Sequence, residues 1–219
     1  MERFDAMPLT LNPQSYDGLD KLGRIRLSRS FHLREFLYSE IAVHYGIRNA
    51  PDTDRVDQAV YAGTQLCERL LEPLQARFGR IHVRSGYRSR AVNKAGVGKH
   101  NCAADNDGFH TWDWPSAQYG RGATACISIP AVSRAVLGGE VPFDALAWWI
   151  YDHLADWSFI EFFATPEYSD ELCFNLGWHE KPLRTITSWR GGARALHKDI
   201  PSAVERSVLS QMLENIDLT

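Results

Sequence analysis

The chain has 219 residues, a formal net charge of −3, 44% hydrophobic residues and 23% charged residues. This length and balance predict one globular domain with its own core and exclude an intrinsically disordered chain. The charge also excludes the strongly basic character of most nucleic-acid-binding proteins, and no stretch approaches the roughly 18 apolar residues of a membrane span. We therefore expect neither nucleic acid nor a membrane among the partners, and the sequence leaves the oligomeric state open.

The first residues and the cysteines predict a location. Residues 1–5 include acidic side chains and no apolar run follows them, so we expect no signal peptide. The four cysteines have no repeating spacing, which in a chain of this size is typical of free thiols in a reducing compartment. Both features favour the cytoplasm.

The first half of the chain predicts an arm followed by a folded domain. Residues 1–30 are polar without a clear period and are interpreted as an N-terminal arm, whereas residues 31–219 form the domain. A short helix is expected at 39–42. The strongest helical spacing runs over 54–78, and alternating residues predict a strand at 80–84.

The second half predicts an irregular segment and then a small sheet. Residues 86–122 are rich in Gly, Asn and Asp, a composition typical of a long functional loop. Strands and helices are expected downstream, in chain order, at 125–129 (strand), 143–154 (helix), 159–163 (strand), 173–179 (strand) and 203–216 (C-terminal helix). This order predicts an α+β fold, with a small mixed or antiparallel sheet flanked by helices.

The irregular segment contains a cluster of residues that could bind a metal. Hydrolytic zinc sites use three protein ligands and leave a fourth position for water. Candidate ligands occur within a stretch of 14 residues and again at the end of the last predicted strand: His100, Asp105, Asp107, His110, Asp113 and His179.

The residues around this cluster carry a resemblance to a known family. The chain contains a Ser-Gly-Tyr-Arg-Ser turn at 85–89, Val-Asn at 92–93 and a Gly-rich stretch that ends at His100. This pattern resembles the zinc D-alanyl-D-alanine carboxypeptidases and dipeptidases, a superfamily that includes phage endolysin peptidases. The resemblance covers roughly residues 31–181. It implies a Hedgehog/DD-peptidase-like fold, one Zn²⁺ per chain and hydrolysis of D-amino-acid-containing peptides such as peptidoglycan stems, with release by lysis if the protein is phage-encoded.

The resemblance also implies site residues. It makes His100 the first metal ligand and His179 the third. The family places an Asp seven residues after the first His, where this chain has Asp107. Asp113 is preferred as the second ligand because it lies where the loop would enter the sheet after about six inserted residues, and Asp107 is the alternative.

The position of the catalytic base departs from the family pattern. The family has a Glu three residues before the last His, and here that position is Leu176. Glu161, an acid among aromatic residues, is the best substitute for a general base. Arg88 would hold a substrate carboxylate or a developing oxyanion, or would alternatively cap turn carbonyls.

Three functions follow from these residues. The first is a zinc-dependent peptidase. The second is a catalytically inactive binding or assembly domain that keeps the fold, with or without the metal. The third is a non-haem-iron-type enzyme, since two His and one carboxylate also form the iron-binding set of that class.

Overall fold

The computed structural model describes residues 15–100, 102–164 and 171–218. The strands are β1 His82–Ser85, β2 Gly122–Ser128, β3 Phe159–Phe162, β4 Phe174–His179 and β5 Thr185–Ser188. The α-helices are α1 Tyr16–Gly23, α2 Glu40–Tyr45, α3 Val56–Leu66, α4 Glu72–Phe78, α5 Arg90–Gly96, α6 Pro130–Leu137, α7 Ala145–His153 and α8 Ala203–Glu214.

The five strands form one sheet in the order β1-β2-β4-β3-β5. All neighbouring pairs are antiparallel except β3 and β5, which run parallel. The predicted α+β class, with a small mixed sheet flanked by helices, is therefore confirmed.

The longest predicted helix is present as consecutive segments. A 3₁₀ turn, Thr53–Arg55, leads into α3, and a π-helical segment, Cys67–Leu71, joins α3 to α4. The chain leaves α4 at Gly79, whose φ of 81° is accessible to glycine at little cost. The apolar stripe of the whole segment from α3 to α4 is fully buried against one face of the sheet and includes Ala59, Ala62, Leu66, Leu70 and Leu74.

The N-terminal segment is folded over the part that the structure describes. Residues 1–14 of the predicted arm lie outside the described residues. Ser15 caps α1 by accepting a hydrogen bond from the Gly18 amide. Leu22 and Leu27 are buried in the main core, so residues 15–30 pack on the domain.

Several short elements were not predicted from the sequence. The helix α5 lies inside the segment expected to be irregular, and Ser89 caps it by accepting from the Val92 amide. The strand β5 and the helix α6 were also missed. None of the helices in the described ranges has the length and apolarity needed to cross a membrane.

Candidate binding cleft

One row of residues crosses all five strands of the sheet. Direct strand partners link Ser85 to Cys126, Cys126 to Asn175, Asn175 to Glu161, and Glu161 to Thr187. All five residues line the same cleft. We call them the polar row. Because neighbouring strands lie about 4.8 Å apart, the row is about 19 Å long.

The next register positions belong to the opposite, apolar face of the sheet. Ala125 pairs with Leu176, Leu176 with Ile160, and Ile160 with Ile186, and all four are fully buried. Leu176, which occupies the family position of the catalytic Glu, therefore faces the core. A carboxylate at that position would be buried away from the cleft, since successive strand residues point to opposite faces.

The cleft lies between the polar row and residues 97–100 and 102–121, which together we call the covering loop. Buried amides hold this loop in shape. Asn93 of α5 donates to the Ala103 carbonyl at 3.0 Å, and Asn106 donates to Asn93 Oδ1 at 2.8 Å. The Phe109 carbonyl accepts from the Thr124 amide at 2.9 Å, which fastens the loop to β2. The resulting cleft has a volume of about 1010 Å³.

Five of the candidate residues named from the sequence line this cleft: Arg88, His100, Asp105, His110 and Glu161. Arg88 is half-buried, and its Nη1 donates to Cys102 Sγ at 3.2 Å. None of the ion pairs formed among the described residues includes Arg88. Its guanidinium therefore keeps donors for an anionic group of a ligand.

The carboxylate of Glu161 is held by two neutral donors. Asn175 Nδ2 donates to Oε2 at 3.0 Å, and Trp189 Nε1 donates to Oε1 at 2.9 Å. Trp189 is 52% exposed, so an indole ring that is fixed by a hydrogen bond stands at the edge of the cleft.

His110 is a buried neutral side chain in the cleft wall. Its Nδ1 lies 2.7 Å from the Gly86 carbonyl, which can only accept, so Nδ1 carries the proton. Burial, and then the nearby Arg88 charge, lower the pKa of His110 to about 4. At neutral pH its Nε2 is therefore an acceptor.

The Cys126 thiol in the polar row is not activated as a nucleophile. A hydrogen bond with Cys173 and then burial raise its pKa well above the ordinary value. The reactive form of cysteine is the thiolate, and these surroundings disfavour it.

His100 lies at the exposed end of the covering loop. Its Nε2 is 3.1 Å from the Tyr45 hydroxyl, and its ring contacts the rings of Tyr45 and His44 edge-on. The predicted first ligand is thus an exposed residue at the cleft margin, with one ring nitrogen engaged by α2.

His179 lies outside the cleft. Its Nδ1 is 2.9 Å from Ser158 Oγ, and its Nε2 is buried against Gly122 with no hydrogen-bond partner. The ring of Phe109 packs against it, with ring centroids 4.6 Å apart, and Phe159 lies on a second side. Because both Phe rings also line the cleft, they separate His179 from it. Burial lowers the pKa of His179 to about 4.

The two candidate second ligands are engaged elsewhere. Asp113 is 2% exposed, and its Oδ2 accepts from the Asp52 amide at 3.2 Å. Burial raises its pKa to about 6, although the Asp52 hydrogen bond acts against that rise. Asp107 forms a two-point ion pair with Arg90, in which Nε lies 3.1 Å from Oδ1.

The structure therefore does not bring His100, Asp113 and His179 together. Among the described residues, no group of three or more His, Cys, Asp or Glu side chains is placed to hold a metal ion. Ser158 engages one nitrogen of His179 and Asp52 engages one oxygen of Asp113, whereas His179 Nε2 and Asp113 Oδ1 are buried without a hydrogen-bond partner, so these contacts alone do not decide whether either residue is a ligand. Neither side chain faces the cleft where Glu161 lies.

Sequence reasoning missed several residues of the cleft: Ser85, Cys126, Asn175, Thr187 and Trp189. One signal was available for Asn175. It is a polar residue inside an otherwise apolar strand, and the alternation of the strand places it on the same face as Gly177 and His179. The strand partners that bring it beside Glu161 depend on long-range register, which the sequence pattern does not reveal.

In comparisons with known proteins, no family model matches the chain, and no curated protein or solved structure matches it significantly. The resemblance to zinc peptidases therefore stays a prediction from the sequence. The function has to be argued from the cleft itself.

Proposed function

We propose that this protein is a binding domain whose cleft takes up a short peptide with a free carboxylate, such as a peptidoglycan stem fragment. The observation that carries this proposal is that Arg88 and Glu161, a residue of the polar row, line one cleft. A guanidinium fork matches a carboxylate in geometry and charge, and Arg88 has donors to offer.

The separation of the two charged residues suggests the length of the ligand. Arg88 follows β1, and Glu161 lies on β3, three strand spacings away in the sheet order. Three spacings correspond to about 14 Å, part of which the two side chains themselves span. At about 3.3–3.6 Å per extended residue, a ligand of about two to four residues fits this distance.

Replacing Arg88 tests the carboxylate part of the proposal. We expect Arg88→Gln to weaken binding of tri-D-alanine by about 1.5–3 kcal/mol, or about 10- to 150-fold, because a charge-assisted hydrogen bond is lost. Isothermal titration calorimetry measures this. The amide of the same tripeptide should bind wild type and variant equally weakly.

Arg80→Gln is the matched control, since Arg80 is exposed and does not line the cleft but carries the same charge. It should leave the affinity unchanged. An equal loss in both variants would mean that Arg88 contributes only net charge. If neither tri-D-alanine nor its L-enantiomer binds the wild-type protein, the proposal is wrong.

A zinc-dependent peptidase is the second candidate, and one observation favours it. Three of the residues assigned to that activity, His100, Arg88 and Glu161, line a single cleft. Against it stand the positions of Asp113 and His179, whose side chains are engaged outside this cleft. The iron-type alternative requires the same three ligands and meets the same difficulty.

The cytoplasm is the location that we propose for this protein. All four cysteines are free thiols, which supports a reducing compartment.

A further inference from the structure

The polar row contains hydrogen-bond acceptors that have no charged donor as a partner. Glu161 is the acidic residue of the polar row, and its two bonds come from the neutral groups of Asn175 and Trp189. None of the ion pairs between described residues includes Glu161. An ionised carboxylate has about four lone-pair sites, so it can accept from a ligand as well.

Asn175 adds a second, independent observation. This residue is 8% exposed, and its Oδ1 is buried without a hydrogen-bond partner. Its Nδ2 is committed to Glu161. Buried acceptors of this kind are rare in folded proteins and call for a donor. A ligand group that donates to Asn175 Oδ1 would therefore lie beside the Glu161 carboxylate.

Aromatic rings surround the same end of the cleft. Phe159, Phe163 and Trp189 line it next to Glu161, and the Trp189 indole is held in place by its bond to Oε1. The faces of aromatic rings attract cations and offer nothing to an anion. The neighbourhood of Glu161 is therefore electrostatically suited to a positive group with several N–H donors.

We infer that Glu161, Asn175 and the surrounding aromatic rings form a subsite for a primary ammonium group, so that the ligand of this cleft is a peptide with a free amino end. This inference rests on the proposed function, because Arg88 takes the carboxylate of the same ligand. An ammonium group has three donors, which can serve Glu161 and Asn175 Oδ1 together, whereas an amide N–H has one. The cleft thus selects zwitterionic peptides.

A divalent cation fits this subsite less well. Calcium takes six to eight oxygen ligands and usually several carboxylates, and the polar row supplies one carboxylate, one amide oxygen and two hydroxyl groups. Zinc prefers nitrogen and sulfur ligands, and the Cys126 thiol is kept protonated by its surroundings.

Acetylation of the ligand separates this inference from the proposed function. We expect N-acetyl-tri-D-alanine to bind about 10- to 100-fold more weakly than tri-D-alanine, because it lacks the ammonium group but keeps the carboxylate. Titration calorimetry measures this. Equal affinity for the two peptides would overturn the ammonium subsite and leave the carboxylate site standing. Failure of both peptides to bind would overturn both.

Variants of the polar row provide the matching test from the protein side. Glu161→Gln and Asn175→Ala should each remove most of the preference for the free amine, so that the acetylated and free peptides bind within about twofold. Glu68→Gln is the control, since it makes the same substitution at an exposed glutamate that does not line the cleft. It should keep the full preference. Circular dichroism and thermal unfolding establish that each variant is folded, and a preference retained in Glu161→Gln would contradict the inference.

Discussion

His179 illustrates how the surroundings of a predicted metal ligand depend on residues that its own strand does not reveal. The sequence shows a His at a strand end beside Trp178, and the structure confirms that the strand ends there. The partners of its ring are set by residues far away along the chain, Ser158 and Phe109. These contacts bury the ring, and burial lowers the pKa of His179 to about 4.

Asp113 gives a pH dependence that can be measured. Its pKa in the folded state is about 6, above the ordinary value of 3.8. Because the folded-state pKa is raised, the corresponding stability is fully present below pH 3.8 and is lost as the pH rises through about 6. The difference corresponds to about 3 kcal/mol in the free energy of unfolding. Asp113→Asn cannot ionise and escapes this loss.

We therefore expect the variant to gain stability relative to the wild type between about pH 4 and pH 7 and to keep a constant advantage above that range. Urea unfolding of both proteins in the presence of a chelator measures the difference. His110 and His179, whose pKa values are lowered to about 4, act in the opposite direction but equally in both proteins. A difference that does not change with pH would contradict burial of an ionised Asp113.

At the scale of elements, two strand glycines leave room for the groups that separate the cleft from His179. A Cβ on Gly177 would lie 2.1 Å from Phe159 Cε1, so the Phe159 ring occupies the space of the missing side chain. A Cβ on Gly122 would lie 2.3 Å from the Gly108 carbonyl oxygen and 2.3 Å from His179 Cδ2. The position of the Phe159 ring therefore depends on Gly177, and the packing of the covering loop on β2 depends on Gly122.

Alanine substitutions at these glycines should differ in cost. Gly177→Ala meets a side chain that can rotate, and we expect a loss of about 1–3 kcal/mol in the free energy of unfolding. Gly122→Ala meets a backbone carbonyl that cannot rotate away, and we expect a larger loss. Chemical denaturation of both variants measures the order. A Gly122 variant that is as stable as the wild type would show that the covering loop is not packed on β2 as described.

Local patterns predicted most elements but not the site that they form. The 3.6-residue spacing over 54–78 and the alternation before Ser85 both led to observed elements, because these signals are carried by neighbouring residues. The helix α5 and the strand β5 were missed because they are short and sit among glycines and polar residues.

The polar row shows the limit of such patterns most clearly. Glu161, Arg88 and His100 were selected from the sequence and do line one cleft. Asn175 was not selected, because its role follows from its pairing with Cys126 and Glu161. These two residues lie on strands that are distant along the chain. A shift of one residue would turn Leu176 toward the cleft and Asn175 into the core.

At the scale of the whole molecule, the two faces of the sheet have different surroundings. Helix α3 packs against β2 and β4, and the core also includes buried residues of α4, α6 and α7, whereas the covering loop stands over the polar face and leaves a cleft. This arrangement puts Arg88 near β1 and Glu161 on β3, so the sheet itself sets the distance between the two charged groups.

The measurement that tests the central proposal most directly is titration calorimetry of tri-D-alanine into protein treated with EDTA, in parallel with protein given one equivalent of zinc. We predict the same 1:1 binding in both samples, with no release of D-alanine in either. The cleft residues proposed to hold the ligand, Arg88 and Glu161, need no metal ion to do so. Binding that appears only with zinc, or zinc-dependent release of D-alanine, would contradict the binding-domain proposal and support the peptidase.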